Sequence, residues 1–470
     1  MQRLTGLDAT FLYMETPHNL MHVASVCVFD PSTVPGGYAF EKVRQLVEDR
    51  LPLLPPFRRR LAEIPFQLHH PMWIEDPDFD LDYHVRRSAL PSPGGAEELA
   101  AFASEVMSRP LDRDRPLWEM YVVEGLADGR IAAVTKTHHA AIDGVSGAEL
   151  TVNLLDLTAE PAPPPDNDPW KPDRVPTDIE LVGYALQSLA RQPLAGVKAI
   201  RRTLEMVLTL RRRNRTPDVV PPPGFFDAPK TFINPPITPH RKIAFAQVQL
   251  DEIKQIKRLA GATVNDVVLA VCSGALRRYL AHRGEEPEES LVALVPVSVR
   301  SEDQKGTMGN KISGMLVSLA TTIEDPVERL HTITEATRRA KEQDKAIGAD
   351  VLMDWAEFMA PALANRAARL LSNTVVADRM RPLFNVTISN VPGPQFPLFS
   401  AGSRMEAIYP LGPITDGMAL NITVMSYLDT VFFGIVGCRE VTGDVDLLSH
   451  WLHESADELL KAAAAQAASA

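Results

Sequence analysis

Hydrophobic and polar residues alternate along the chain with two different periods. A period of two predicts β-strands, and apolar residues spaced three and four apart predict amphipathic helices. In the first third of the chain, strand-like runs cover Val23–Phe29, Trp118–Glu124 and Ile131–Thr137. Helical patterns cover Phe40–Arg50, Ala96–Ser108 and Ser146–Leu155.

The second half of the chain repeats this mixture. Helical spacing predicts helices at Asp251–Leu259, Val264–Leu280, Pro326–Lys341 and Asp446–Ala465. Strands are predicted at Ile243–Leu250, Leu291–Val297, Lys311–Leu319, Leu383–Asn390, Ala419–Tyr427 and Val431–Val436. Strands mixed with helices in both halves indicate an α/β protein with mixed sheets.

Proline residues are concentrated between the two halves. Pro161 to Pro165 closes the first half, and Pro221-Pro222-Pro223 precedes the second. Such stretches favour an extended connection. For 470 residues we therefore predict a first domain over 1–160, a linker over 161–240 and a second domain over 241–470.

Charge and cysteine usage exclude several classes of protein. The net charge of −12 argues against general nucleic-acid binding. Three isolated cysteines form neither a disulfide framework nor a metal-binding pair, which favours a cytoplasmic location. The N-terminus lacks an apolar signal core, and the longest charge-free run, Pro382 to Ser403, holds four prolines. We therefore expect no transmembrane helix.

The linker contains one strongly basic segment. Between Tyr184 and Arg215 there are eight Arg or Lys residues and one acid, Glu205, with leucine, valine and isoleucine interleaved. A basic amphipathic helix can lie on an anionic membrane. Alternatively, its apolar side packs on the two domains while the arginines face water, and Pro193 interrupts the pattern.

The segment His138 to Gly144, with the sequence HHAAIDG, carries the candidate chemistry. The pair follows a predicted strand, and Ser146 to Glu149 matches a capping box that opens a helix. Histidine is the natural proton acceptor near neutral pH. Asp143 either contacts a histidine or stabilises the turn, and Gly144 permits a backbone conformation that a β-carbon would hinder.

Two other interpretations of the pair compete with a catalytic one. The histidines could be structural, or they could bind a metal, although His139 and Asp143 lack matching third and fourth ligands. A second adjacent pair, His69-His70, has no Asp-Gly and is expected to be ordinary surface. No GxSxG nucleophile motif is present, and Cys272 is expected in the core. The pattern favours direct attack by a bound hydroxyl that a histidine base activates.

The HHAAIDG segment resembles the HHxxxDG signature of acyltransferases related to chloramphenicol acetyltransferase and condensation domains. Other segments resemble the bacterial wax ester synthase/diacylglycerol acyltransferase family and follow its order along the chain. They are Leu4 to Leu12 with Met21-His22-Val23, Phe79 to Val85, Pro116-Leu117-Trp118, Thr263 to Val268, Pro296 to Arg300 and Ser389 to Pro394.

The resemblance implies two chloramphenicol-acetyltransferase-like domains with an active-site channel between them. It implies His139 as general base, His138 as its positioning neighbour, and Asp143 with Gly144 maintaining the turn. Asn265-Asp266 corresponds to a pair that matters for activity in this family, although Thr263 to Asp266 also fits a helix cap with an acid in the first turn.

Further candidates follow from the same resemblance. Trp118 would be a core residue or would shape the substrate channel. Thr387 and Ser389, on one face of a predicted strand, are alternative oxyanion donors. The phosphates of coenzyme A require cations, and the candidates are Arg241, Arg300 and Lys311. Further candidates are Lys136, Lys242 and Lys305.

The resulting hypothesis is transfer of a long-chain acyl group from acyl-CoA to diacylglycerol, and also to long-chain alcohols. No cofactor or metal is expected, because acyl-CoA is itself the substrate. An enzyme acting on such lipids is expected at the surface of a membrane or lipid droplet. The alternatives are a condensation-type or polyketide-associated acyltransferase that uses a carrier-protein thioester, and a non-catalytic lipid-binding relative.

Overall fold

Two six-stranded mixed sheets form the framework of the protein, and a three-stranded sheet lies beside them. The computed structural model describes residues 1–142, 150–160, 170–189, 223–224, 226–298, 312–347 and 381–469. The strands are β1 (Gln2–Arg3), β2 (His22–Asp30), β3 (Arg59–Ala62), β4 (Met72–Glu75), β5 (Val85–Ala89), β6 (Trp118–Glu124), β7 (Ile131–His138), β8 (Arg241–Gln249), β9 (Val292–Ser298), β10 (Ile312–Ser318), β11 (Val386–Val391), β12 (Phe399–Ser400), β13 (Ser403–Leu411), β14 (Leu420–Tyr427) and β15 (Thr430–Cys438).

The helices cover the faces and ends of these sheets. They are α1 (Gly6–Met14), α2 (Phe40–Arg50), α3 (Pro55–Arg58), α4 (Leu81–His84), α5 (Ala96–Met107), α6 (Asp178–Leu189), α7 (Leu250–Ala260), α8 (Val264–His282), α9 (Pro326–Ile347) and α10 (Asp446–Ser469). The predicted α/β class is confirmed. The predicted strands and helices are present with shifts of a few residues at their ends, except the predicted helix Ser146–Leu155, of which residues 146–149 lie outside the described residues.

The first sheet has the order β12-β13-β2-β7-β6-β5. Its central strands β2, β7 and β6 are antiparallel, and β5 runs parallel to β6. Its β13 lies far along the chain yet pairs with β2, with Leu411 opposite Ala24. The second half of the sequence therefore supplies an edge of the first sheet, and the sheets do not follow the sequence division at residue 240.

The second sheet has the order β10-β9-β11-β14-β15-β8. Its largest core cluster forms where α7, α8, α9 and α10 pack on it. Helix α8 is the most deeply buried of these, with Val267 to Ala275 almost continuously buried. Cys272 is fully buried as expected, and burial raises the pKa of its thiol to about 12.

The two halves contact each other along β8 and β13. Strand β8 is an edge strand, and two of its N–H groups donate to serines one turn apart, Ser104 on α5 and Ser108 at the C-cap of α5. The Oγ of Ser104 accepts from the N–H of Ile243 at 2.9 Å, and the Oγ of Ser108 accepts from Arg241 at 2.8 Å. At Gly434 on β15, a β-carbon would lie 1.9 Å from the Pro410 carbonyl oxygen on β13. This glycine therefore allows the close approach of the two sheets.

Among the described helices, none is by itself long and apolar enough to cross a membrane. Helices α7 and α8 meet that length and hydropathy only as a pair that bends by 103°.

Candidate active site

The adjacent histidines lie where β7 ends, on the central part of the first sheet. Backbone pairing places His138 opposite His22 on β2. The His138 side chain is 1% exposed, whereas His139, the first residue beyond the strand, is partly exposed. Of the pair, only His139 therefore keeps part of its surface accessible to solvent.

The ring of His138 is engaged by its surroundings. Its Nδ1 accepts the backbone N–H of Ala140 at 3.0 Å, and its Nε2 lies 3.5 Å from Oε2 of Glu15. Because a backbone N–H can only donate, Nδ1 carries a lone pair, and a neutral ring holds its proton on Nε2. The bond from the Ala140 N–H to Nδ1 closes the turn that contains His139.

His139 is held from two sides. Its backbone N–H donates to the carbonyl of Met21 at 2.8 Å. The ring of Phe11 stacks on its imidazole, with centroids 4.1 Å apart and planes 11° apart. The strand-to-turn position, the backbone bond and the stacked ring together define where the imidazole lies.

Helix α1 supplies two contacts that sequence analysis missed. Thr5 caps the helix by accepting from the N–H of Asp8 at 3.1 Å. Ala9 and Leu12 pack into the cluster that contains Ala140. Phe11 and Glu15 are four residues apart and therefore lie on the same side of the helix end. That spacing was visible in the sequence, but nothing local indicated which histidine each residue would meet.

Glu15 is a nearly buried carboxylate, with 10% of its side chain exposed. Its Oε1 lies 3.3 Å from Nε2 of His22, and Oε2 accepts from the guanidinium of Arg113, with Nε at 3.0 Å. Burial alone would raise the pKa of the Glu15 carboxyl, but the imidazoles of His138 and His22 and the charge of Arg113 lower it far below its ordinary value. Burial also lowers the pKa of His22 to about 4, which keeps that ring neutral at pH 7.

Several predicted residues lie outside the described residues. Asp143 and Gly144 of the motif are among them, as are Arg300, Lys305 and Lys311 of the coenzyme A candidates. Their assigned roles stay predictions.

Asn265 and Asp266 begin helix α8. Asp266 closes a capping box with Thr263, its Oδ2 accepting from the Thr263 N–H at 2.9 Å, and its Oδ1 accepts from Oγ1 of Thr337 on α9 at 2.6 Å. It is 2% exposed. These bonds identify Asp266 as the first-turn acid of the capping box, which also joins α8 to α9. Asn265 is partly exposed, and its Oδ1 accepts from Asn390 on β11 at 3.4 Å.

The two oxyanion candidates differ in accessibility. Thr387 is buried, and its Oγ1 donates to Sδ of Met418 at 2.9 Å. Ser389, two residues along β11, is partly exposed. Of the two hydroxyls, that of Ser389 therefore belongs to the more exposed residue. The loop over 412–419 connects this region to the histidine side, because Asp416 exchanges two hydrogen bonds with Asn19, at 3.1 and 2.9 Å.

Trp118 is a core residue. It is fully buried, and its Nε1–H donates to the Phe57 carbonyl at 2.6 Å. Its ring stacks between the rings of Phe57 and His84, with centroid distances of 4.3 and 4.6 Å. Of the two alternatives for this residue, the contacts favour structural support.

The placement of Arg241 argues against its predicted role in binding coenzyme A. It is 3% exposed, and its guanidinium donates to the carbonyls of Thr238 and His18, the latter at 2.6 Å. Burial lowers its pKa to about 10. Lys136 is likewise fully buried, and its Nζ donates to carbonyls at the end of α5. A hydrophobic pattern on β7 and β8 could not show that these cations point inward.

The expectation that His69-His70 is ordinary surface is wrong. The two residues are 4% and 3% exposed. Nε2 of His69 lies 2.7 Å from Nη2 of Arg3, and Nδ1 of His70 lies 2.7 Å from the hydroxyl of Tyr13. Packing against α1 and β1, which are distant in sequence, buries them. Among the described residues no cluster of His, Cys, Asp or Glu has the arrangement of a metal site.

Comparison with known proteins identifies the family. Residues 4–268 match the wax ester synthase/diacylglycerol acyltransferase catalytic domain, and residues 308–460 match the C-terminal domain of the same family. A Mycobacterium tuberculosis protein, provisionally named a diacylglycerol O-acyltransferase, is 39% identical over 464 residues, which is 98% of this chain and 90% of that protein.

Comparison with solved structures supports the same family. The wax ester synthase/diacylglycerol acyltransferase from Marinobacter aquaeolei VT8 superposes with a TM-score of 0.68 at 30% identity, covering 98% of this chain and all of that one. The trichothecene 15-O-acetyltransferase from Fusarium sporotrichioides shares the fold at 12% identity, with a TM-score of 0.59 over 98% of this chain and 95% of that one. The resemblance seen in the sequence is confirmed, and the chain belongs to the wax ester synthase/diacylglycerol acyltransferase family.

Proposed function

We propose that the protein transfers a long-chain acyl group from acyl-CoA to the free hydroxyl of diacylglycerol, forming triacylglycerol, and that it also accepts long-chain alcohols. One structural observation carries the proposal. Of the two adjacent histidines, His138 is buried with its ring engaged, and His139 is partly exposed on a turn that backbone and ring contacts hold. A partly exposed histidine held in a fixed position is what a general base requires.

The chemistry needs few further groups. His139 removes the hydroxyl proton as the acceptor oxygen attacks the thioester carbonyl carbon. The carbon–sulfur bond then breaks, and coenzyme A leaves as a thiolate that takes the proton back from the histidine. A thiol has a pKa near 8.5, so its thiolate leaves with little assistance. The Ser389 hydroxyl is our candidate for stabilising the oxyanion, and the reaction requires no resident cofactor or metal.

The test offers labelled palmitoyl-CoA to the purified protein together with diacylglycerol and hexadecanol. We expect labelled triacylglycerol and wax ester from the parent protein, and a loss of roughly 10²- to 10⁴-fold for His139→Ala. His453→Ala, at an exposed histidine of α10, is the matched control and is expected to retain parental turnover. Near-parental turnover by folded His139→Ala would overturn the mechanism. Activity with an acyl-carrier thioester but not with acyl-CoA would contradict the proposal that acyl-CoA is the acyl donor.

We also propose that the protein works in the cytoplasm at the surface of a membrane or lipid droplet. Its support is the basic segment Tyr184–Arg215, of which residues from 190 onward lie outside the described residues. Helix α6, which runs into this segment, exposes Ile179 and Leu186, at 85% and 58%. Phe66, in a turn that contacts α6, is 89% exposed. Apolar side chains beside a basic segment suit an anionic lipid surface.

The experiment for the lipid surface is flotation with vesicles that contain anionic phospholipid. Replacing Arg201, Arg202 and Arg211 to Arg213 with glutamine should release the protein from these vesicles. Replacing the exposed Arg174 and Arg439 is the control, and both sets are compared with neutral vesicles. Unchanged binding after the first replacement would contradict the proposal.

A further inference from the structure

Glu15 is a buried charge that the proposed reaction does not use. It occupies the C-cap position of α1, and its carboxylate meets groups from three other parts of the chain: His22 on β2, His138 on β7 and Arg113. A carboxylate taken out of water is unfavourable unless it is paired. An Arg113 partner that is 41% exposed would be available to a glutamate at the surface, so the ion pair alone does not account for the inward position of Glu15.

The inward position of Glu15 affects the tautomer of His138. The Nδ1 of His138 accepts the Ala140 N–H, so the ring proton is on Nε2, the atom that faces Glu15. A carboxylate at this point favours that tautomer over the alternative with the proton on Nδ1. With the proton on Nδ1, the ring could not accept from Ala140, and the turn would lose the bond that closes it around His139.

The same carboxylate also approaches His22, which pairs with His138 across the two strands. The two imidazoles lie edge to face, with centroids 5.8 Å apart. Glu15 therefore contacts both rings through separate oxygens. Arg113 fixes α1 relative to this group, because it also donates to the carbonyl of Leu12 at 2.9 Å.

We propose that Glu15 is a positioning residue for the acyl transfer reaction. It acts through His138: its carboxylate selects the Nε2–H tautomer, the tautomer preserves the Ala140 bond, and that bond maintains the turn that presents His139. The inference rests on the proposed function for its effect on turnover, but the tautomer of His138 is independent of it.

The test uses Glu15→Gln in the full-length protein, which keeps the size of the side chain and removes the charge. We expect kcat to fall roughly ten- to a hundred-fold, because small misplacements of a catalytic group have effects of this order. The KM values for acyl-CoA and diacylglycerol should stay within about two-fold, because no step requires Glu15 to touch either substrate. Glu15→Asp keeps the charge on a shorter side chain, so its kcat should lie between the values for Glu15→Gln and the parent protein.

Imidazole ¹⁵N spectra provide the readout that a purely structural role would not move. The His138 signals, assigned by comparison with His138→Gln, should show a single Nε2–H tautomer in the parent and a mixture in Glu15→Gln. Glu406→Gln is the matched control: Glu406 pairs with Arg130 at 2.8 Å on the partly exposed side of the same sheet, and its loss should leave both kcat and the spectrum unchanged.

Three outcomes would overturn the proposal. One is a parental kcat for Glu15→Gln, and another is a fall in kcat without any change in the His138 signals. The third is an Nδ1–H tautomer in the parent protein, which can be read even if the variant does not fold. If the parent lacks acyl transfer activity, the proposed function fails, but the spectra still decide whether Glu15 sets the His138 tautomer.

Discussion

The ring of Phe11 lies flat against the imidazole of His139, with 4.1 Å between centroids and 11° between planes. The contact joins the first helix of the chain to the residue that follows β7. It restricts rotation of the imidazole without using either of its nitrogens. An aromatic contact of this kind contributes about 0.5–1.5 kcal/mol beyond burial.

Shortening this side chain tests the contact. Phe11→Leu removes the ring face and should lower kcat roughly two- to ten-fold, the loss that corresponds to such a contact. Steady-state turnover at saturating acyl-CoA measures it. Phe79→Leu is the matched control, because Phe79 stacks on His84 at 5.2 Å and 12°, and it should lower stability with little change in kcat. Equal kcat losses in both variants would contradict a specific role for Phe11.

Local periodicity was sufficient to predict most elements of the fold. Strand β6 and helix α2 have the predicted bounds, because alternation and helical spacing reflect burial on one face. The partner of a strand is not a local property. Nothing in the pattern of 403–411 showed that β13 would pair with β2, and that strand was not predicted at all.

The sequence likewise predicted some features of the candidate site and not others. The position of His138 and His139 at the end of a strand followed from the pattern around them. The partners of His138 did not, because Glu15 and His22 are more than a hundred residues away in sequence. The buried positions of Arg241 and Lys136 were also missed, since long cationic side chains are usually solvated and only the packed structure shows the carbonyls that receive them.

Asp266 is expected to act mainly through stability. Asp266→Ala removes its half of the capping box, the bond to the Thr263 N–H, together with the bond to Thr337, and should lower the free energy of unfolding by about 1–3 kcal/mol. Thr337→Val removes one of these bonds and should cost about 1 kcal/mol. Urea denaturation measures both. If Asp266→Ala keeps its stability but loses about a hundred-fold in kcat, the carboxylate belongs to the chemistry instead.

Ser104 on α5 and Ser108 at its C-cap are expected to hold the two halves together. Ser104→Ala leaves the buried N–H of Ile243 without its acceptor and should lower the free energy of unfolding by about 1–3 kcal/mol. Hydrogen exchange at the Ile243 amide should accelerate by a corresponding factor. Ser449→Ala, at a partly exposed serine that donates to the Asp446 carbonyl within α10, is the control and should stay within about 0.5 kcal/mol. Unchanged exchange at Ile243 in Ser104→Ala would show that β8 does not depend on this bond.

Stability should fall as the solution is acidified below neutral pH. Burial lowers the pKa of His22, His69, His70 and His84 to about 4 each. An unfolded histidine titrates near 6.5, so between about pH 6.5 and 4 the unfolded chain binds more protons than the folded protein. The free energy of unfolding therefore decreases with falling pH in this window. Glu15 contributes to the pH dependence only at lower pH. Because its carboxyl pKa is lowered in the folded protein, the stability that it provides is lost only below about pH 4.5.

His84→Gln isolates one of these titrations. His84 is fully buried, and its Nδ1 lies 2.8 Å from the Trp118 carbonyl oxygen. Removing its ionisation should flatten the pH dependence of unfolding between about pH 6 and 5 by up to about 1.4 kcal/mol per pH unit. Urea unfolding midpoints and slopes at half-unit pH intervals measure the change. His450→Gln, at a histidine whose side chain is 68% exposed, should leave the slope as in the parent protein. If His84→Gln also keeps the parental slope, the buried imidazole at this position is not a source of the acid sensitivity.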